Sequence, residues 1–256
     1  MLGLADSSWL DDLPLKDRDS LVYTAKTLQH AEMYDNMAVC MKKVTEFGVE
    51  LNDEERNLLS VAFKNVVGSR RNSYRVLSNR ISRTQDSEKL ALTKEFLDTI
   101  QKELNAVCSD VLQLIKEKLL PLCTSAEGKV FYLKMMGDYC RYKAENAKGE
   151  DHDEVVKASL EAYEEATKIA NESLSCTHPI RLGLALNYSV FYYEIMNSPD
   201  RACQLAKKAF DDAVSDAEAV NEDSCKDSTL IMQLLRDNLA LWTSDPEETE
   251  NNEGAE

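Results

Sequence analysis

The chain has 256 residues, 43% hydrophobic and 30% charged, which allows a sizeable core and excludes gross disorder. Eight glycines and five prolines are too few for a turn-rich β fold or a dinucleotide-binding α/β fold. Thirty basic against 46 acidic residues give a net charge of −16, which repels phosphate backbones and argues against nucleic acid as a partner.

The chain opens on a polar stretch over 1–16, MLGLADSSWLDDLPLK, expected to be mobile. Its aspartates stand where a signal peptide would be apolar. From there the apolar spacing is helical almost throughout. Leu21, Ala25, Leu28 and Ala31 form a first stripe, and a break is expected at Asp35. Met37, Val39, Cys40, Met41 and Val44 form a second, with Gly48 closing the helix. Asn52-Asp53-Glu54-Glu55 reads as a cap with an acidic first turn, opening a long helix to about Arg83. Asp86-Ser87-Glu88 starts another, running to Leu120 before Pro121. Further helices are expected over 127–148, 152–174, 180–196, 199–220 and 224–243, with Cys176-Thr177-His178-Pro179 as a turn. The acidic tail over 246–256 is expected to be disordered, and one open reading lets it fold back on a basic pocket. The fold class is therefore all-α, with helices joined by short loops, and no strand-length alternation survives.

The seven cysteines are odd in number, widely spaced and without a C-x-x-C pair, so free thiols in a reducing compartment are expected. The longest uncharged stretch, 182–193, is too short to span a membrane. The location expected is cytoplasmic, extending to the nucleus. No G-x-G-x-x-G, G-x-x-x-x-G-K-[ST] or H-E-x-x-H is present, and His30, His152 and His178 are isolated. No enzyme activity, cofactor or metal is expected.

Three patterns carry the functional reading. From Lys64 to Arg83 there are six basic residues and no acidic one, with Lys64, Arg71 and Arg75 on one helical stripe. A solvated charged surface would look the same. A second stripe, Lys134, Asp138, Arg141 and Tyr142, lies among apolar flanks, so its charges need partners. Arginine's planar fork with a lysine and a tyrosine hydroxyl suits a phosphate dianion, and an internal Arg–Asp pair through Asp138 can coexist with that role. Third, Leu182, Gly183, Leu186, Asn187, Val190 and Glu194 form one amphipathic row. Leu230, Ile231, Leu234, Asn238, Leu241 and Trp242 form another. Each is an apolar line interrupted by one asparagine, whose amide both donates and accepts and so suits an extended peptide backbone. Ordinary core packing is the alternative.

Four segments place this arrangement in a known context. ERNLLSVAFKNVVGSRR at 55–71, KVFYLKMMGDYCRY at 129–142, THPIRLGLALNYSVFYYEIMNSPDRACQLAKKAFDDA at 177–213 and DSTLIMQLLRDNLALWTSD at 227–245 resemble the 14-3-3 family. The resemblance covers about residues 20–245. It implies a single domain over 17–245, about nine antiparallel helices forming a cup with an amphipathic groove, normally dimeric, that binds phosphoserine or phosphothreonine peptides. By resemblance, Lys64, Arg71, Arg141 and Tyr142 hold the phosphate. Lys134, Asn187 and Asn238 meet the peptide, Glu194 and Trp242 lie near its N-terminal side, and Leu186, Val190, Leu230, Ile231, Leu234 and Leu241 form the apolar wall. The partners implied are phosphorylated client proteins and a second subunit, the same or related, with no nucleic acid and no membrane insertion. A helical scaffold for unmodified peptides is the alternative reading.

Met136, Cys140 and Lys143 depart from the family pattern beside the Arg141-Tyr142 pair. The dimer seam departs further. Complementary charges are usual there, but the matching positions hold Ser20, Met33, Asn36, Arg80, Glu88 and Thr99, with only Glu103 retained. Ala31, Ser73, Leu77 and Phe96 complete the seam. A weakened dimer or altered partner choice is the expectation. Ser73 follows Arg70-Arg71-Asn72, a context for a basophilic kinase, and is a candidate phosphosite; an ordinary helical serine is the alternative.

Overall fold

In a computed structural model of the chain, residues 8–13, 17–219 and 226–244 are described. They contain helices and no strand. The chain divides into two compact units, Met1–Cys123 and Thr124–Glu256.

The first unit starts from a 3₁₀ turn, Ser8–Asp12, inside the stretch expected to be mobile; its Leu10 is buried. Helix α1 (Arg18–His30) is capped by Asp17, which accepts the Ser20 N–H at 2.7 Å, and buries Leu21, Ala25 and Leu28. The break after α1 falls at Ala31–Met33, earlier than the expected Asp35. The chain turns there with Glu32 at φ 56° and the Met33 N–H donating to the Leu28 carbonyl at 2.9 Å. Asp35 instead lies in the first turn of α2 (Tyr34–Thr45), where a negative charge suits the helix dipole. Gly48, at φ +66°, sits past the α2 end as expected.

Helix α3 (Asp53–Arg83) opens on a full capping box. Asn52 accepts the Glu55 N–H at 3.0 Å, and Glu55 accepts the Asn52 N–H at 2.9 Å. Arg18 donates to both Glu55 oxygens, at 2.8 and 2.6 Å, and so ties α1 to the α3 cap. The buried residues of α3 end at Val67. Helix α4 (Ser87–Leu114) is capped by Asp86 as expected, and the short connection at 84–86 forces α3 and α4 antiparallel. The expected run to Leu120 holds only in part. The α-helical bonds stop at Leu114, a π turn covers Ile115–Leu119, and one α turn, α5 (Leu120–Leu122), follows. Pro121 offers no N–H to the carbonyl four residues back, so the ladder shifts register ahead of it.

In the second unit α6 (Ala126–Ala144) is capped by Ser125, and α7 (Glu150–Ser173) follows Gly149 at φ +60°. Helix α6 thus ends before the expected Lys148. Helix α8 (Pro179–Glu194) begins at His178, whose Nδ1 accepts the Ile180 N–H at 3.2 Å, so this histidine is a helix cap. Helices α9 (Pro199–Ala219) and α10 (Lys226–Thr243) complete the unit.

Helix α8 packs on both sides. One core joins Val130 of α6, Tyr163, Ala166 and Ala170 of α7, and Leu184, Tyr188 and Phe191 of α8. The other joins Leu182 of α8, Ala206 and Ala213 of α9, and Leu235 of α10. The α6–α7 contact is close because Gly137 lacks a side chain. A Cβ there would lie 2.5 Å from Tyr163 Cε1, and the Tyr163 ring is itself stacked on Tyr188 at 5.1 Å. Gly137→Ala is therefore expected to cost about 1–3 kcal/mol of stability. Thermal unfolding checks this: a lowered Tm with the helical circular dichroism spectrum retained is expected, and an unchanged Tm would mean that the ring can yield.

Candidate functional site

The second unit brings the second and third sequence patterns together around one buried carboxylate. Lys134 Nζ lies 2.9 Å from Asp138 Oδ2, one turn along α6, and Arg141 Nη2 lies 3.5 Å from Oδ1. From α7 the Tyr163 hydroxyl donates to Asp138 Oδ1 at 2.6 Å and accepts from Arg141 Nε at 3.3 Å. From α8 Asn187 Nδ2 donates to Oδ1 and Oδ2 at 2.8 and 2.9 Å. Three helices thus converge on Asp138. Burial alone would raise the pKa of this carboxyl. Lys134 and Arg141, with the Tyr163 hydroxyl, more than offset that and hold it below the ordinary carboxylate value.

Arg141 is nearly buried. It packs over the Tyr142 ring at 4.7 Å, and Glu145 stands 3.8 Å from its Nη1. The internal Arg–Asp pair weighed from spacing is therefore present. Lys134 spends one contact on Asp138, and its side chain is 22% exposed. Neighbouring Cys140 is buried, and burial pushes its thiol up to about 11 against the opposing pull of Lys143. It is a thiol at neutral pH, as expected of a packing cysteine. Cys40, Cys108, Cys123, Cys176 and Cys203 are likewise thiols outside any disulfide, and Cys225 lies outside the described residues.

Helices α8 and α10 of the same unit carry the apolar rows. On α8, Leu186 and Val190 are half-buried and Glu194 is exposed. On α10, Leu230, Leu234 and Leu241 are 63%, 44% and 69% exposed. Ile231 and Trp242 pack instead against the α8–α9–α10 core, and Trp242 stacks on Tyr193 with ring centroids 4.7 Å apart. Asn238 is half-buried. The row on α10 thus splits: one edge supports the core and the other offers leucines to solvent.

Lys64 and Arg71 belong to the first unit. Lys64 is exposed and Arg71 half-buried on α3. The flanking Arg70 has another task. Its Nη2 meets Asp35 at 2.9 Å and its Nε meets Glu103 at 3.2 Å, so it clamps α2, α3 and α4 together. Glu103, the one retained seam acid, is therefore engaged inside its own unit. Of the other seam positions, Asn36 is buried, Ser20, Ser73 and Leu77 are half-buried, and Ala31, Met33, Arg80, Glu88, Phe96 and Thr99 are exposed. Ser73 Oγ donates to the Ser69 carbonyl at 3.0 Å. Ser73, Val76, Leu77, Phe96, Thr99 and Ile100 line a shallow groove between α3 and α4.

Sequence reasoning missed Tyr163 and Tyr193. Both sit on apolar stripes where a tyrosine is indistinguishable from core. The one available signal was Gly137 beside an acid that needed a partner. Among the described residues no His, Cys, Asp and Glu group suits a metal ion, and no helix is long and apolar enough to cross a membrane. The acidic tail lies outside the described residues.

Comparison with known proteins agrees with this geometry. The family model described as "14-3-3 protein" matches residues 24–243. The chain is 58% identical to "14-3-3-like protein 2" of Caenorhabditis elegans over 239 residues, 92% of this chain and 96% of that protein. It is 60% identical to "14-3-3 protein zeta" of Bombyx mori over 230 residues, 90% and 93% of the two chains. It is also 60% identical to "14-3-3-like protein 1" of C. elegans over 228 residues, 89% and 92%. With a family match across both units and all-α architecture, the chain belongs to the 14-3-3 family of non-enzymatic adaptors that bind client proteins.

Proposed function

We propose that this chain binds client segments carrying phosphoserine or phosphothreonine, with Lys64, Arg71, Arg141 and Tyr142 as the phosphate ligands. The observation that carries the reading is the pairing, within the second unit, of a cation cluster with an unsatisfied apolar face. Lys134 and Arg141 share Asp138, while Leu230, Leu234 and Leu241 stand in solvent on α10. A folded chain leaves such leucines exposed in a row when a partner covers them. In this reading the cations of α6 select for an anion on the partner.

Phosphate dianions fit this chemistry better than carboxylates do. They offer more acceptor oxygens to arginine's fork, and each charge-assisted bond is worth about 1.5–3 kcal/mol net. Arg141 is already ordered by Asp138 and Tyr163, so little side-chain freedom is lost when a ligand arrives. Lys134, Asn187 and Asn238 are the main-chain contacts in this reading. Leu186, Val190, Glu194, Ile231 and Trp242, with the exposed leucines, form the wall. Clamping, masking or scaffolding of clients follows from such binding. A cytoplasmic and nuclear location accords with the free thiols.

A second reading, capture of unmodified peptides, draws on the two carboxylates beside Arg141, which leave that corner with little net charge. One titration separates the two. A peptide with a central phosphoserine is expected to bind at least about tenfold tighter than its serine form. Lys64→Glu and Arg71→Ala are each expected to remove most of that difference while leaving the helical spectrum unchanged. Equal binding of both peptides favours the second reading, and retained discrimination in both variants overturns the assigned phosphate pocket.

We further propose that the seam forms a dimer held mainly by apolar contact and therefore loose. Beyond Val67, α3 has no buried residue, and Val76, Leu92 and Phe96 are 57%, 57% and 62% exposed on the α3–α4 hairpin. Glu103 is spent on Arg70, and Met33 and Thr99 carry no charge. Two grooves on one dimer would raise the avidity for doubly modified clients by about 10²–10⁴. Sedimentation is expected to show dissociation on dilution through low micromolar concentration. Ser73→Glu, which puts a charge beside Val76, Leu77 and Phe96, should shift the midpoint to higher concentration. A dimer that resists dilution, or sediments alike with and without that substitution, contradicts the proposal.

A further inference from the structure

Asn187 raises a question that the groove reading leaves open, because a primary amide can turn either end toward a ligand. Its surroundings decide the matter. The amide atom facing α6 stands 2.8 and 2.9 Å from the two oxygens of Asp138. Asp138 is buried against Lys134 and Arg141, two cations that keep it ionised, and an ionised carboxylate only accepts hydrogen bonds. The atom facing it must then be the NH₂ nitrogen. The planar amide consequently turns Oδ1 away from Asp138, and Oδ1 has no hydrogen-bond partner among the described residues. Asn187 is half-buried on the α8 row with Leu186 and Val190. One turn earlier stands Gly183, where even an added Cβ would meet only Lys134 Cε, at 3.6 Å.

We infer that Asp138 is a positioning residue for the groove: by taking the NH₂ end of Asn187, it presents Oδ1 as a fixed acceptor for one main-chain N–H of an extended client. This rests on the reading of α8 and α10 as a peptide groove. It adds direction to that reading. A segment that offers an outward N–H at this point is favoured, and one with proline or an N-methyl group there is rejected, since neither has a proton to give. The same carboxylate orders Arg141 through Tyr163, so one buried charge aligns both the cation and the backbone contact.

The test uses the full chain and a set of nine-residue peptides with a central phosphoserine. In each, one backbone N–H is replaced by an ester oxygen, and binding is measured by titration calorimetry. At one position the ester is expected to weaken wild-type binding about tenfold, the worth of one buried hydrogen bond. Asp138→Asn lets the Asn187 amide turn either way, because the new side chain can donate as well as accept. In that variant the amide-to-ester ratio at the same position should fall to about threefold or less. The ratio is taken within each protein, so any change in phosphate affinity cancels.

A tenfold penalty that persists in Asp138→Asn overturns the positioning role, and so does a wild type that binds the phosphopeptide with no ester-sensitive position. A wild type that fails to distinguish phosphoserine from serine overturns the phosphate reading instead, and the ester ratio is then read on the peptide that binds. Where Asp138→Asn loses its native spectrum, the wild type decides by NMR. The Asn187 side-chain NH₂ signals, identified by their loss in Asn187→Ala, should be protected from solvent exchange both before and after peptide addition. Rapid exchange in the free protein overturns the inference.

Discussion

A single buried carboxylate organises the second unit. Removing Asp138 from water costs several kcal/mol, and the structure meets that cost with partners from three helices. Lys134 and Arg141 of α6 supply charge, Tyr163 of α7 supplies a hydroxyl, and Asn187 of α8 supplies an amide. The arrangement works only because α6 and α7 approach closely at Gly137, which lets the Tyr163 ring reach under the carboxylate. Ser159 reinforces the approach by donating to the Gly137 carbonyl at 2.8 Å. A carboxylate bonded from three helices is held rigidly, and a rigid surface loses little affinity to ordering when a partner binds.

Helix α8 carries that local order outward. Leu182, Leu184, Tyr188 and Phe191 anchor it in both cores and Leu186 packs against the second, so the half-buried Asn187 and Val190 are held in place. Helix α10 leans on the same core through Leu235, Ile231 and Trp242 while Leu230, Leu234 and Leu241 stay outside. An adaptor differs from an enzyme in this respect. It needs no reactive group, only a shaped and charged face whose partners are supplied by another protein. The thiols accord with that role, since burial keeps Cys40 and Cys140 protonated.

The first unit shows how a charge-rich chain can lose charge where it matters. The net charge is −16, yet the α3–α4 hairpin combines exposed arginines with Val76, Leu92 and Phe96 in solvent. Arg70 draws Asp35 and Glu103 to itself and binds three helices of its own unit. That pairing strengthens the unit and withdraws an acid from the surface. In the proposed dimer, stability within the unit and affinity for a partner compete for the same side chain.

Much of this was legible in the residues alone. The α3 start was written in Asn52 and Glu55, the α4 start in Asp86, and the α3 end fell at Arg83 as the spacing indicated. Local caps and helical periodicity decide such features, and both are short-range. The apolar rows proposed as the groove were legible too, since rows interrupted by asparagine show on a helical wheel, and the family resemblance fell on the same positions. Register across helices was not legible. That Glu103 meets Arg70, that Asn36 is buried, that Tyr163 reaches Asp138 and that the Asn187 amide points its nitrogen inward all depend on how one helix seats against the next. Spacing along a chain tells which side chains share a face of one helix. Only packing in three dimensions chooses which carboxylate meets which cation, and that choice leaves the face presented to a client.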